Sequence, residues 1–187
     1  MILDNDILLA LIVCCEVGFW VALFSGLAFR YVLHWKRVSW ICLVCVPLID
    51  IALLALTVLD LRSGSVATLV HGLAAAYVAF TVTFGSMMIG WADQRFAHWF
   101  AGGPAPTKPP SRGWASVRYE LKLWARCILA VCIIYFLIFA ITAFVGHPGQ
   151  TRALQAWYGI PLGTVFFWFV FGPLWSLVFF KRESAAT

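Results

Sequence analysis

Residues 66–100 read VATLVHGLAAAYVAFTVTFGSMMIGWADQRFAHWF, and this stretch decides the fold. It is a long apolar run that holds one histidine and ends in an aromatic and charged cluster. One row of a helix through it places a small residue or the histidine at every fourth position: Ala67, His71, Ala75 and Ala79. Residues four apart lie on one face of a helix, and small residues let a second helix approach closely. The pattern predicts a membrane helix in which His71 faces protein rather than lipid.

The rest of the chain has the same apolar character. Of its 187 residues, 63% are hydrophobic and 11% are charged, whereas soluble domains are about half apolar and a quarter charged. A membrane-spanning helix needs about 20 apolar residues. The sequence predicts one all-α membrane domain over residues 1–187, a polytopic bundle with five spans at about 7–31, 39–59, 66–91, 127–145 and 158–180.

Two segments between the third and fourth spans have other compositions. Residues 101–113 are rich in glycine and proline, which predicts an extended cytoplasmic linker. In residues 114–126 apolar side chains recur at helical spacing, while Arg118, Lys122 and Arg126 form a basic stripe. This pattern predicts an amphipathic helix at the membrane surface, whose three basic residues contact anionic lipid headgroups.

The net charge of +5 is distributed unevenly among the loops. Basic residues concentrate in cytoplasmic loops of membrane proteins, so this bias is not the footprint of nucleic-acid binding, and no nucleic acid is expected as a partner. It predicts a cell-membrane protein with its N-terminus outside and its C-terminus in the cytoplasm. Two basic residues fall on the outer side, Arg62 and Arg152, and eleven on the inner side: Arg30, Lys36, Arg37, Arg95, Lys108, Arg112, Arg118, Lys122, Arg126, Lys181 and Arg182.

Three ionisable side chains lie well inside the predicted spans: Glu16, Asp50 and His71. At a rise of about 1.5 Å per residue, each lies about 7 to 13 Å from the outer end of its span, so we expect them at one level. Ionisable groups inside a membrane are costly and usually functional. The trio predicts proton-linked transport or permeation of a small solute. The alternative is a non-enzymatic scaffold or envelope-assembly factor, in which the same residues only hold helices together.

The sequence predicts no cofactor, no metal and no catalytic residue. One histidine and two carboxylates match an open metal triad in ligand type, but they have no spacing signature across three spans. The other histidines, His34, His98 and His147, form no pair with His71 that could hold haem. No pairing of a nucleophile with a base stands out, so an enzyme is not favoured.

A second group of charged residues lies at the inner ends of the first and third spans. Asp93, Arg95 and His98 follow the third span, and Arg30 closes the first. Charges at this depth typically form an interfacial network of ion pairs. We favour that interpretation over a catalytic site.

Two further patterns concern packing. Gly18, Ala22 and Gly26 are four residues apart, as in membrane helices that pack backbone to backbone, and they predict a homo-oligomer or a membrane partner. The aromatic residues 166–169 with Phe171 form either an apolar ligand groove or, the favoured interpretation, a lipid-facing helix.

Four short segments carry a resemblance. They are EVGFW at 16–20, PLID at 47–50, HGLAA at 71–75 and WADQRF at 91–96. In these segments the chain resembles a group of small bacterial integral-membrane proteins of the YmcC type. The resemblance implies a bacterial cytoplasmic membrane and brings no activity with it.

Overall fold

The computed structural model describes residues 5–111 and 113–180, and the predicted basic residues Arg112, Lys181 and Arg182 lie outside them. Its elements are α1 (Asn5–Tyr31), α2 (Lys36–Arg62), α3 (Leu69–Ala101), α4 (Gly113–Val145), a 3-10 helix (Arg152–Tyr158), α5 (Ile160–Phe169), a π-helical turn (Val170–Leu174) and α6 (Trp175–Val178). Within these described residues, five segments are long and apolar enough to cross a membrane, the fifth running from Arg152 to Val178. The prediction of an all-α bundle with five spans is confirmed.

The bundle has two distinct ends. At the turn end, the α2–α3 turn (63–68) meets the loop after α4 (146–151), because the Ala67 amide donates to the Gln150 carbonyl over 2.7 Å. The linker end carries the non-helical residues 102–111. Helices α3 and α4 have 33 residues each, or about 50 Å, against about 30 Å for a bilayer core. They therefore extend beyond the membrane core.

The predicted surface helix at 114–126 is the first part of α4, which continues without a break into the fourth span. The physical reason is that no glycine or proline interrupts residues 114–145. Its three basic residues, Arg118, Lys122 and Arg126, are all exposed. Contact between these three basic residues and anionic lipid headgroups therefore stays a prediction. It now concerns one face of a continuous helix, not a separate surface helix.

The fifth span is interrupted where the sequence contains Gly172 and Pro173. Proline has no amide hydrogen to donate and its ring displaces the carbonyl of the preceding turn. The backbone forms a π-helical turn there before α6 completes the span. Upstream, the 3-10 helix enters the core of the bundle, with Leu154 fully buried and Trp157 7% exposed.

The core of the bundle lies where α3 meets α4. Ala75 and Ala79 of the small-residue seam are fully buried, as is Ile138 of α4. Alanine leaves room for the branched side chains of the facing helix, so the two backbones come close together. Apolar side chains from the end of α2, the α2–α3 turn, α3, α4 and the 3-10 helix form this cluster, including Leu61, Ala67, Ile134, Ile141, Val145 and Leu154.

Gly72 allows the closest approach in the core. A methyl group at this position would overlap the indole ring of Trp157. The Trp157 indole N–H donates to the Leu69 carbonyl over 3.1 Å, one of the carbonyls near the start of α3. The glycine thus seats a tryptophan from the 3-10 helix against the α3 backbone.

The row of small residues in α1 faces α2 within the same chain. A Cβ at Gly26 would lie 3.0 Å from the Leu43 side chain, and one at Gly18 would lie 3.9 Å from Ile49. These contacts place α2 against Gly18 and Gly26. Self-association or binding of a membrane partner stays a prediction.

Candidate functional site

The first part of the site lies at the turn end, where Asp60 pairs with His71. The histidine Nε2 lies 2.9 Å from Asp60 Oδ2, and both side chains are largely buried, at 13% and 12% exposure. The Ser65 hydroxyl donates to the other oxygen, Asp60 Oδ1, over 2.9 Å. Both oxygens of the carboxylate are thus satisfied by the α2–α3 turn and the first turn of α3.

A hydrogen bond from Thr68 determines which ring nitrogen of His71 carries the hydrogen. The Thr68 backbone N–H donates to His71 Nδ1 over 3.0 Å. A backbone amide can only donate, so Nδ1 carries no hydrogen, and Nε2 is the protonated nitrogen that donates to Asp60. In this arrangement His71 accepts from Thr68 and donates to Asp60, and it also caps α3. A second proton at Nδ1 would remove the acceptor of the Thr68 amide.

The second and third parts of the site follow along the helices towards the bundle centre. The Tyr77 hydroxyl of α3 donates to Glu16 Oε1 of α1 over 3.3 Å. The Thr81 hydroxyl donates to Asp50 Oδ2 of α2 over 2.6 Å. Asp50 is only 2% exposed. Because ten residues separate Asp60 from Asp50, the polar track is about 15 Å long.

A cavity of about 220 Å³ joins the first two parts of the track. Its walls come from α1, α2, α3 and the residue that precedes α3. Its polar lining residues are Glu16, Thr57, Asp60, Thr68, His71 and Tyr77. A separate, much smaller space lies between Glu16, Tyr77 and Asp50, and Glu16 and Tyr77 line both. The arrangement places three carboxyl groups and one imidazole along the polar track.

The three predicted residues do not lie at one level. His71 is the third residue of α3, because the helix begins at Leu69 with Thr68 as an extended N-cap. Glu16 and Asp50 lie near the middle of α1 and α2. Their shared neighbour is Tyr77, and the partner of His71 is Asp60. The residues therefore do not form the expected compact cluster. The carboxyl groups of Asp60, Glu16 and Asp50 follow one another along the polar track, and we call this series the ladder.

Asp60 was missed because the predicted second span ends at about residue 59, whereas α2 continues to Arg62. A signal was present in the sequence. A turn of only a few residues brings the last turn of one helix opposite the first turn of the next. This places Asp60 opposite His71.

Among residues 5–111 and 113–180, no three His, Cys, Asp or Glu side chains are grouped to hold a metal ion.

The four charged residues predicted at the inner interface lie at the linker end but do not form one network. Arg30 Nη2 and Asp93 Oδ2 form an ion pair at 2.9 Å between α1 and α3. Arg95 lies over the Trp91 ring, 4.4 Å from its centroid. His98 Nδ1 donates to the Gly103 carbonyl over 2.9 Å, at the end of α3. The ion pair joins α1 to α3, the contact of Arg95 with Trp91 lies within α3, and the His98 hydrogen bond closes the end of α3.

The comparisons with known proteins agree with a membrane protein. A Bacillus subtilis protein named "Uncharacterized membrane protein YmcC" is 37% identical over 146 residues, which are 78% of this chain and 78% of that protein. No family model matches the chain. No solved structure matches it.

Proposed function

Since the chain belongs to the YmcC family of membrane proteins, we propose a function from its own side chains: the cavity between α1, α2 and α3 takes up protons or a small cation in proton-linked transport or permeation. The observation that carries this proposal is the ladder of Asp60, Glu16 and Asp50. Each of these carboxyl groups is hydrogen-bonded to a partner on α3, respectively His71, Tyr77 and Thr81.

The charge of the cavity supports a cationic substrate. The described residues that line it include Glu16 and Asp60 but no lysine or arginine. A carboxylate removed from water and facing no cation is costly in a membrane. A proton or a small cation relieves that cost, and an anion would increase it.

His71 supplies a way to couple proton uptake to a change of structure. A proton arriving at Nδ1 would remove the acceptor of the Thr68 amide and turn Nδ1 into a donor, for which the Thr68 hydroxyl, 2.9 Å away, is an acceptor. The positive imidazolium would at the same time strengthen its pairing with Asp60. Uptake at the turn end would therefore change the contact between α2 and α3.

The competing function is a scaffold whose polar residues hold α1, α2 and α3 together. The observation in its favour is that each carboxyl group of the ladder already has a hydrogen-bond partner. Hydrogen bonds between membrane helices contribute about 0.6 to 2 kcal/mol each. They stabilise a bundle without any transport.

Proton flux in liposomes separates the two functions. The parent protein and Asp50→Asn, Glu16→Gln and His71→Gln are reconstituted with a pH-sensitive dye inside, and thermal unfolding is measured in detergent. The matched control is Asp93→Asn, a carboxyl group at the linker end that lies outside the cavity. Transport predicts a flux loss of about tenfold, or about 1.4 kcal/mol in the barrier, in the cavity variants only. A parent with no flux above empty liposomes, with destabilised variants, supports the scaffold.

We propose that the turn end faces the outside of the cell membrane and the linker end faces the cytoplasm. The exposed basic residues Arg118, Lys122 and Arg126 belong to the linker half of α4, where anionic headgroups of the inner leaflet attract them. Reporter fusions in the linker near Pro106 test this. Reporter activity on the outer face would reverse the proposed direction of uptake.

A further inference from the structure

Glu120 is an acidic residue on the packed face of α4, and the transport ladder does not use it. It lies seven residues before the buried Cys127 and eleven before Val131, so all three project from one side of the helix. Among the described residues, no hydrogen bond or ion pair reaches its carboxyl group. The half-buried carboxyl group of Glu120 is therefore available to a ligand.

The carboxyl group is directed towards the interruption in the fifth span. A Cβ at Gly172 would lie 2.8 Å from Glu120 Oε2 and 3.3 Å from Trp168 Cδ1. The glycine therefore makes room for the carboxylate beside the indole ring. Gly172 belongs to the π-helical turn, a distortion that often occurs at functional sites.

An open groove of about 680 Å³ runs from this point along one face of α5. Its walls include Phe167, Phe171 and Gly163, and it ends at Ile160. Twelve residues separate Ile160 from Gly172, which gives a length of about 18 Å. One leaflet of a bilayer core is about 15 Å deep. The groove thus has the length of one lipid acyl chain.

The depth of Glu120 matches the level of lipid headgroups. The exposed basic residues Arg118 and Lys122 flank it on other faces of α4. The apolar fourth span begins only at Cys127, about 10 Å further along the helix. A lipid lying in the groove would therefore place its headgroup beside Glu120 and its chain among the aromatic rings.

We propose that this groove binds a membrane lipid whose headgroup ends in an ammonium group, such as phosphatidylethanolamine. Glu120 supplies the negative charge that such a headgroup requires, and the neighbouring Trp168 supplies an aromatic face for the cation. Phe167 and Phe171, exposed by 60% and 67%, leave the groove open from the side on which lipid lies. A lipid with an anionic headgroup would face the Glu120 carboxylate unfavourably.

Native mass spectrometry of the purified full-length protein tests the proposal. The parent is titrated with phosphatidylethanolamine and with phosphatidylglycerol of the same acyl chains. We expect the parent to retain the first about tenfold more strongly, a ratio equal to about 1.4 kcal/mol. Glu120→Gln should abolish the preference, while Glu16→Gln, in the transport cavity, should keep it. Equal binding of the two lipids by the parent, or an unchanged preference in Glu120→Gln, would overturn the proposal.

A second pair of variants tests the groove without altering a charge. A Cβ at Gly163 or at Gly90 meets nothing within 4 Å, so both positions accept a larger residue. Gly163→Leu fills the groove and should weaken phosphatidylethanolamine binding about tenfold, whereas Gly90→Leu in α3 should not. Equal binding by the two variants would contradict the groove. Binding of free ethanolamine is measured last. If it binds the protein as strongly as phosphatidylethanolamine does, the acyl chain contributes nothing to binding.

Discussion

The two sides of α3 differ in kind. Towards α4 the helix presents alanines, and the interface is apolar, with Ala75, Ala79 and Ile138 fully buried. Towards α1 and α2 it presents Tyr77 and Thr81, each bonded to a carboxyl group, beside a cavity of about 220 Å³. A protein that needed only stability would gain more from close packing on both sides. The contrast separates a structural interface from one built around ionisable groups.

The largest effect on stability is expected from Gly72→Ala, on the structural side. The added methyl group overlaps the Trp157 ring and would also displace its hydrogen bond to the Leu69 carbonyl. We expect a loss of about 3 kcal/mol in the free energy of unfolding. Gly90→Ala is the matched control, since a Cβ there meets nothing within 4 Å, and it should stabilise by up to about 1 kcal/mol. Equal unfolding free energies for the two variants would show that α3 is not closely packed here.

A smaller effect is expected on the polar side, from the pair Asp60 and His71. A double-mutant cycle with Asp60→Asn and His71→Gln should give a coupling energy of about 1 kcal/mol at neutral pH. Chemical unfolding in detergent supplies the four free energies. Additive effects of the two substitutions would mean that the 2.9 Å contact contributes nothing to stability.

The smallest effect is expected at the linker end, from Arg30 and Asp93. Their side chains are 38% and 32% exposed, so water screens the ion pair and Arg30→Gln should cost about 0.5 kcal/mol. The effect should shrink as salt is added. A loss as large as that of Gly72→Ala would place this contact among the main supports of the fold.

The sequence was sufficient for the parts of the fold that depend on local composition. Apolar length predicted five spans, and the alanine row of α3 predicted a face that another helix approaches closely; in the structure that helix is α4. It was insufficient where one residue decides a boundary. Thr68 delays the start of α3 to Leu69 and the last turn of α2 extends to Arg62, and these small shifts moved His71 from the expected cluster to Asp60.

Long-range choices between partners were also beyond the sequence. The small residues at Gly18, Ala22 and Gly26 indicate close packing, but nothing local says whether the partner is α2 or a second copy. Glu120 was hidden for a similar reason, because its neighbour Gly172 lies 52 residues further along the chain. Both cases depend on contacts between distant residues.

If the polar side of α3 functions while its apolar side stabilises, one variant on each side should separate the two roles. Asp50→Asn and Ile138→Ala are each reconstituted in liposomes at equal amounts of folded protein, and proton flux is measured beside the free energy of unfolding. We expect Asp50→Asn to lose flux by about tenfold with stability within about 0.5 kcal/mol of the parent. Ile138→Ala should lose about 2 kcal/mol of stability and keep its flux within about twofold. Flux that falls with stability in both variants, or a parent without flux, would show that the two sides of α3 do not divide function from stability in this way.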